Sequence, residues 1–284
     1  MGHVKTRFWF ILFFLMVSLP ARCGDQTDVQ VICRSGAPLR FAVYPFLDRL
    51  TLRERLQPLL NYLASGTGRP VLSLIASDYT QLEQLLKRKQ AHLCWYSPRR
   101  SHPTLQELGL RAICRPALRE GEGYRGVIVA RQKSGKKCLT DLRGCRFAYI
   151  DRQSNSGFLY PNRLLAENGL SPLDFFGEIH FAGTHDSALL GVVSGIYDAA
   201  AVTDMVLERG PLTAAEREQL VVLATTSAIL PDVIAVSETL DPALQKRIEQ
   251  LLLGLSEMPT QTSATRDMLG TLGFTGFVPI TEGP

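Results

Sequence analysis

The chain has 284 residues, a net charge of +4 and a hydrophobic fraction of 45%. That is enough for two α/β units of ordinary size, while so mild a charge, with no basic block interleaved with aromatics, argues against nucleic acid as a partner. Six cysteines and five histidines show no paired ligand spacing, so neither a metal nor another cofactor is expected.

Lys5 and Arg7 precede an apolar run over residues 8–19, and Pro20, Ala21 and Cys23 follow it. This is the pattern of an export signal over residues 1–23, because the run is too short to span a bilayer. Arg22 stands before Cys23 where a lipoprotein places a small residue, which favours simple cleavage over lipidation. The first six residues fit a myristoylation pattern by chance, since an apolar signal core follows at once. A soluble exported protein is expected.

Periodicity then places strands over 39–44, 71–76 and 91–96, alternating with helices over 50–64, 79–89 and 104–108. This β-α-β-α-β order implies a parallel sheet covered by helices. After a polar stretch at 120–123 and an apolar run at 124–130, a second series begins at Arg146. It has a strand to Ile150, a helix over 160–168, a strand over 178–181, a helix over 186–194, a strand over 199–202 and a less distinct apolar stretch at 220–223. A strand over 233–236 and a helix over 242–253 follow, with a terminal segment left over. Two α/β blocks of this kind suggest two lobes joined by two crossings around a ligand cleft. Residues 30–122 plus 230–284 form the first lobe and 123–229 the second.

Open α/β sheets bind ligands beyond the carboxyl ends of their strands. Polar clusters fall there: Tyr44 and Pro45, Tyr96 and Ser97, Thr184-His185-Asp186, and Thr203-Asp204. The most informative is the loop Asp151-Arg152-Gln153-Ser154-Asn155-Ser156-Gly157 between a strand and a helix, with no Lys or Arg between Gln153 and Asn162. Free backbone amides and the positive end of a helix dipole converge in such a loop, which suits capture of a small anion by hydroxyls and amides; the same residues also fit an ordinary N-cap.

In an exported chain Cys138 and Cys145 bracket a short segment that could fold back as one turn, and a disulfide between them is expected. If Cys23 leaves with the leader, Cys33, Cys94 and Cys114 cannot all pair with one another.

The run from Asp141-Leu142-Arg143-Gly144 through Asp151-x-x-Ser154-x-Ser156-Gly157, Phe175-Phe176, Gly183-Thr184-His185-Asp186 and Gly195-x-x-Asp198-Ala199-Ala200, with Trp95-Tyr96 ending the third strand, resembles one family. These are the periplasmic phosphate/phosphite/phosphonate-binding proteins of ABC transporters, type 2 solute-binding proteins. The resemblance covers nearly the whole chain after the leader. It implies a two-lobed type II periplasmic-binding-protein fold with a two-strand hinge, a small oxyanion ligand, a monomer in the periplasm, and a permease as partner. It assigns ligand contacts to Ser154, Asn155, Ser156, Tyr96 and His185, with Asp204 and Asp232 in matching places and Tyr44 as a looser match. Arg152 stands where a proline is common and Asn155 replaces a threonine. Asp204 and Asp232 fit equally well as a helix cap and a turn residue.

Cys94 departs from the family, which usually has a small apolar residue before the Trp-Tyr pair. Side chains alternate along a strand, so Cys94 and Tyr96 share a face. If that face is the cleft, a thiophilic oxyacid such as arsenite becomes the alternative ligand and a sensor histidine kinase the alternative partner. A buried inert cysteine, or a disulfide to Cys114 or Cys33, is the plainer reading. Ser154, Ser156, His185 and Asp204 include the types of a catalytic triad but lack a Gly-x-Ser-x-Gly elbow, so catalysis is not expected.

Overall fold

The structure is a computed structural model that describes residues 36–97, 104–118, 123–257 and 263–280. The leader assigned to residues 1–23, together with Cys23 and Cys33, lies outside the described residues.

The chain begins β1 (Leu39–Val43), α1 (Arg49–Thr67), β2 (Val71–Ile75), α2 (Tyr79–Lys87), β3 (Leu93–Tyr96) and β4 (Leu110–Ala117). It crosses into β5 (Gly126–Arg131), β6 (Arg146–Tyr149), α3 (Tyr160–Glu167), α4 (Pro172–Phe175), β7 (Glu178–Phe181), α5 (His185–Ser194), β8 (Ala199–Thr203), α6 (Asp204–Arg209), α7 (Ala214–Arg217) and β9 (Leu220–Thr225). It returns through β10 (Val233–Ser237), α8 (Pro242–Glu257), α9 (Ser263–Leu272) and β11 (Gly276–Val278). One sheet has the order β11-β4-β10-β3-β1-β2 and the other β7-β6-β8-β5-β9.

Local chemistry sets the element ends. Asp48 caps α1 by accepting from the amides of Leu50 and Thr51 at 3.0 and 3.1 Å, and Gly68 ends that helix at φ 68°. Leu52, Leu56, Leu59, Leu60 and Leu63 form its buried stripe, spaced as one face of a helix. In the second sheet Phe147 stacks on Phe176 with ring centroids 4.1 Å apart, and this contact fixes β6 against the segment that follows α4.

Three sequence expectations change. Neither sheet is wholly parallel: β1 pairs parallel with β2 and β3, but β10 runs antiparallel to β3 and β4, and β5 antiparallel to β8 and β9. Residues 104–108 form a hydrogen-bonded turn rather than a helix, closed by Leu110 N–H donating to Leu105 O at 2.8 Å and ended by Gly109 at φ 65°. Finally, β4, α9 and β11 were not foreseen.

The two sheets are joined where the crossings pair. Tyr124 N–H donates to Ile229 O at 3.1 Å and Ile229 N–H to Tyr124 O at 2.8 Å, an isolated antiparallel bridge. Gly123 permits this approach, because a Cβ there would sit 2.5 Å from Ile229 O.

A candidate ligand-binding cleft between the sheets

A cavity of about 840 Å³, its open mouth included, lies between the two sheets at the carboxyl ends of β1, β3, β6 and β8. Its polar end comes from the five-stranded side. After β6 the chain turns at Asp151, whose Oδ1 accepts from Gln153 N–H at 2.7 Å, and enters a π-helical turn, Asn155–Leu159, that leads directly into α3. Ser154 is the cap, its Oγ accepting from Gly157 N–H at 3.0 Å. Gly157 has no room for a side chain, since a Cβ would lie 2.2 Å from Ile150 Cγ1. Asn155 and Ser156 therefore open a helix with first-turn amides that have no intrahelical acceptor. Ser154, Asn155 and Ser156 are all buried and all line the cavity.

His185, the first residue of α5, faces the same space. Its Nδ1 accepts from Thr203 N–H at 3.1 Å, which assigns the proton to Nε2, and burial drives its pKa down to about 3. It is thus a neutral donor at physiological pH and cannot act as a general base there. Tyr124 is held far above the usual tyrosine pKa first by burial and then by the charge of Asp232, so its hydroxyl stays protonated.

Among the described residues, hydrogen bonds cross from one side to the other. Asn155 Nδ2 donates to Ser97 Oγ at 2.9 Å, Gln153 Nε2 to Thr80 Oγ1 at 3.2 Å, and Asp48 N–H to Asp186 Oδ2 at 3.3 Å. The first is buried, the second exposed.

The opposite wall carries Tyr44 and Asp232. Asp232 Oδ2 accepts from the Tyr44 hydroxyl and from Trp95 Nε1 at 2.9 Å. Burial, ahead of the charge of Asp232, lifts the Tyr44 pKa well above its usual value. Of the nine ligand contacts expected from the sequence, Tyr44, Ser154, Asn155, Ser156, His185 and Asp232 meet around one cavity.

Tyr96, Cys94 and Asp204 do not. Trp95 on β3 and Ser97, the residue after it, face the cavity, so strand alternation turns Cys94 and Tyr96 to the other side. Cys94 is fully buried and its thiol is pushed up to about 12 by burial, which removes the thiolate a thiophilic ligand would need. The arsenite alternative, and the sensor partner tied to it, therefore lose their support. A Cys94–Cys114 disulfide is also excluded: Cys94 pairs with Ala235 and Cys114 with Ile234 on opposite edges of β10, two strand spacings or roughly 10 Å apart. Asp204 is engaged locally. Its Oδ2 accepts from Arg125 N–H at 2.9 Å and its Oδ1 from Met205 N–H at 2.8 Å, while its neighbours Thr203 and Met205 line the cavity.

The expected Cys138–Cys145 disulfide is not formed; both thiols are free. The intervening residues make a 3₁₀ turn, Leu139–Leu142, in which Asp141 caps the amide of Cys138 at 3.1 Å. That turn leaves Cys138 exposed, with Sγ 3.0 Å from Thr140 Oγ1, and packs Cys145 into the core.

Sequence reasoning missed Trp95 as a lining residue in its own right, and with it Phe46, Tyr79, Tyr124 and Phe274. Every residue of β3 is buried, so no hydrophobic alternation betrays its phase; the Ser97 that follows carried the only clue.

The family model for the periplasmic substrate-binding protein of phosphonate ABC transporters matches residues 41–283. The chain belongs to this family. It is accordingly a periplasmic substrate-binding component of an ABC transporter of the phosphonate/phosphate type, and not an enzyme. It is 25% identical over 248 residues to the Phosphate-import protein PhnD of Mycolicibacterium smegmatis, covering 82% of this chain and 77% of that one. Among solved structures it is similar to a binding protein component of an ABC phosphonate transporter from Pseudomonas aeruginosa, with a TM-score of 0.77, 19% identity and coverage of 86% of this chain and 81% of the other. It is also similar to PhnD1 of Prochlorococcus marinus in complex with methylphosphonate, with a TM-score of 0.74, 17% identity and coverage of 86% and 93%. The fold is the two-lobed type II periplasmic-binding-protein fold.

Proposed function

We propose that the cleft captures a phosphonate- or phosphate-type oxyanion, with Ser154, Asn155 and Ser156 as its principal donors. The amides opening the π-helical turn, the serine hydroxyls and His185 Nε2–H converge on one end of the cavity. Their convergence there is the observation that carries this reading; Arg55 also lines the cavity and adds a positive charge to it. Neutral donors on a preformed backbone bind an anion through charge-assisted hydrogen bonds. Tyr44 and Asp232 line the same cavity, and Asp232 orients the rings opposite the donors. A relative that carries the name of a phosphate importer and a neighbour holding methylphosphonate support a ligand of this chemistry.

Residues 30–122 plus 230–284 act as one lobe and 123–229 as the other, hinged at the Tyr124–Ile229 bridge. Ligand bound to both lobes favours the closed arrangement, in which the Asn155–Ser97 contact forms, and a membrane permease reads the closed surface. The protein works as a monomer after removal of the leader over residues 1–23.

Trp95, one of two tryptophans in the chain, lines the cavity, and a protein starting at residue 34 keeps only that one. Titrating such a protein with methylphosphonate, phosphite and phosphate should change the Trp95 emission saturably. A flat response to all three would remove the oxyanion reading.

A further inference from the structure

The donors described above occupy only one end of the cavity. The facing wall, built by the six-stranded side, carries a contiguous apolar face of Phe46, Leu47, Trp95, Leu272 and Phe274, with Met205 closing it from the other lobe, beside the polar groups of Arg55, Ser97 and Asp232. A bare oxyanion of five heavy atoms, allowed a water's share of about 30 Å³ per atom, occupies roughly 150 Å³. The lining of the cavity runs well beyond the Ser154–Ser156 turn that would hold such an ion, to Trp95 and Phe274 on the other side. Phosphate alone would leave water standing against aromatic faces, an arrangement that an apolar group relieves by displacing it.

These rings form a fixed wall. Trp95 is tethered through Nε1 to Asp232 at 2.9 Å, and Tyr44 through its hydroxyl to the same carboxylate oxygen. Phe46 and Phe274 both pack against the indole, with centroids at 5.4 and 5.0 Å. The carboxylate thus serves to hold aromatic side chains in place beside the cavity. A preformed apolar surface of this kind binds a substituent without ordering cost.

Building on the oxyanion reading, we propose that the cognate ligand is a carbon-substituted phosphonate whose substituent is apolar and several carbons long, seated against Trp95 and Phe274, rather than inorganic phosphate or an aminoalkyl phosphonate. The phosphonate group meets the Ser154–Ser156 turn and the substituent points across the cleft.

Calorimetry on the chain from residue 34 with phosphate, methylphosphonate, propylphosphonate, 2-aminoethylphosphonate and phenylphosphonate tests this. Phenylphosphonate should bind about 30-fold more tightly than methylphosphonate, the gain expected for burying one ring face. Propylphosphonate should exceed 2-aminoethylphosphonate, which has the same heavy-atom count. Phe274→Ala should lower the phenyl-to-methyl affinity ratio by at least about fivefold, and Phe274→Leu should lower it less; the milder variant decides the matter if the alanine protein does not fold. Tighter binding of the aminoethyl compound, or of methylphosphonate over phenylphosphonate, overturns the proposal while leaving the oxyanion site intact. Failure of all five to bind overturns both.

Discussion

Asn155→Ala is the most informative perturbation of the closed arrangement. Asn155 Nδ2 donates to Ser97 Oγ at 2.9 Å between two buried side chains, one from the π-helical turn and one from the residue after β3. Truncation leaves the buried Ser97 Oγ without this donor. Stranding one side of a buried hydrogen bond costs about 1–3 kcal/mol. If this bond forms only in the closed arrangement proposed above, the loss falls on the closed state and lowers apparent affinity roughly 5- to 150-fold. Gln153→Ala is the matched control: its bond to Thr80 Oγ1 also joins the lobes, at 3.2 Å, but is exposed. Its loss should cost under about 0.5 kcal/mol, near twofold. Isothermal titration of both variants with methylphosphonate, beside their denaturant midpoints, separates closure from global stability. Equal affinities for Asn155→Ala and Gln153→Ala would refute the buried-latch reasoning.

Burial holds His185 at about 3, below the 6.5 of the unfolded chain, so the unfolded chain takes up the extra proton between those values. Its contribution to stability is complete above pH 6.5 and is lost as pH falls, by at most about 1.4 kcal/mol per unit. Burial raises the neighbouring Asp186, whose contribution has the opposite sign, so the curve to measure is the difference between wild type and His185→Asn; a flat difference from pH 6.5 to 4 contradicts a buried neutral His185. Gly123→Ala places a Cβ 2.5 Å from Ile229 O and should destabilise the protein by about 1–3 kcal/mol through the Tyr124–Ile229 bridge, read as a lowered thermal midpoint; an unchanged midpoint would show that the crossings tolerate the shift. Cys94→Ser should leave phosphonate affinity within about threefold, under ~1 kcal/mol, because the thiol faces away from the cavity; abolished binding would return Cys94 to the site.

Much of the fold was legible because its elements carry strong periodic signals. The stripe of α1 and the loop from Asp151 to Gly157 between β6 and α3 could be read directly. What escaped had weak or misleading signals. Arg111, Arg115 and Pro116 disguised β4, which pairs on both sides with antiparallel neighbours. The reversal of β10 is a property of the second crossing, and no local residue pattern encodes it. Within the site, the capping turn could be placed from its own residues, but β3 is buried on both faces, so the choice between Trp95 and Tyr96 depended on register against β1 and β10. The spacing of Cys138 and Cys145 suggested a bridge; the side-chain directions set by the 3₁₀ turn prevented it.

The most direct measurement is isothermal titration of wild type and Ser154→Ala/Ser156→Ala with methylphosphonate at matched pH and salt. Each lost donor to an anion is worth about 1.5–3 kcal/mol, so the double variant should bind at least about 100-fold more weakly, while loss of the Ser154 cap lowers its stability by only about 0.5–2 kcal/mol. Wild-type affinity in the double variant would place the oxyanion elsewhere and contradict the cleft as its binding site.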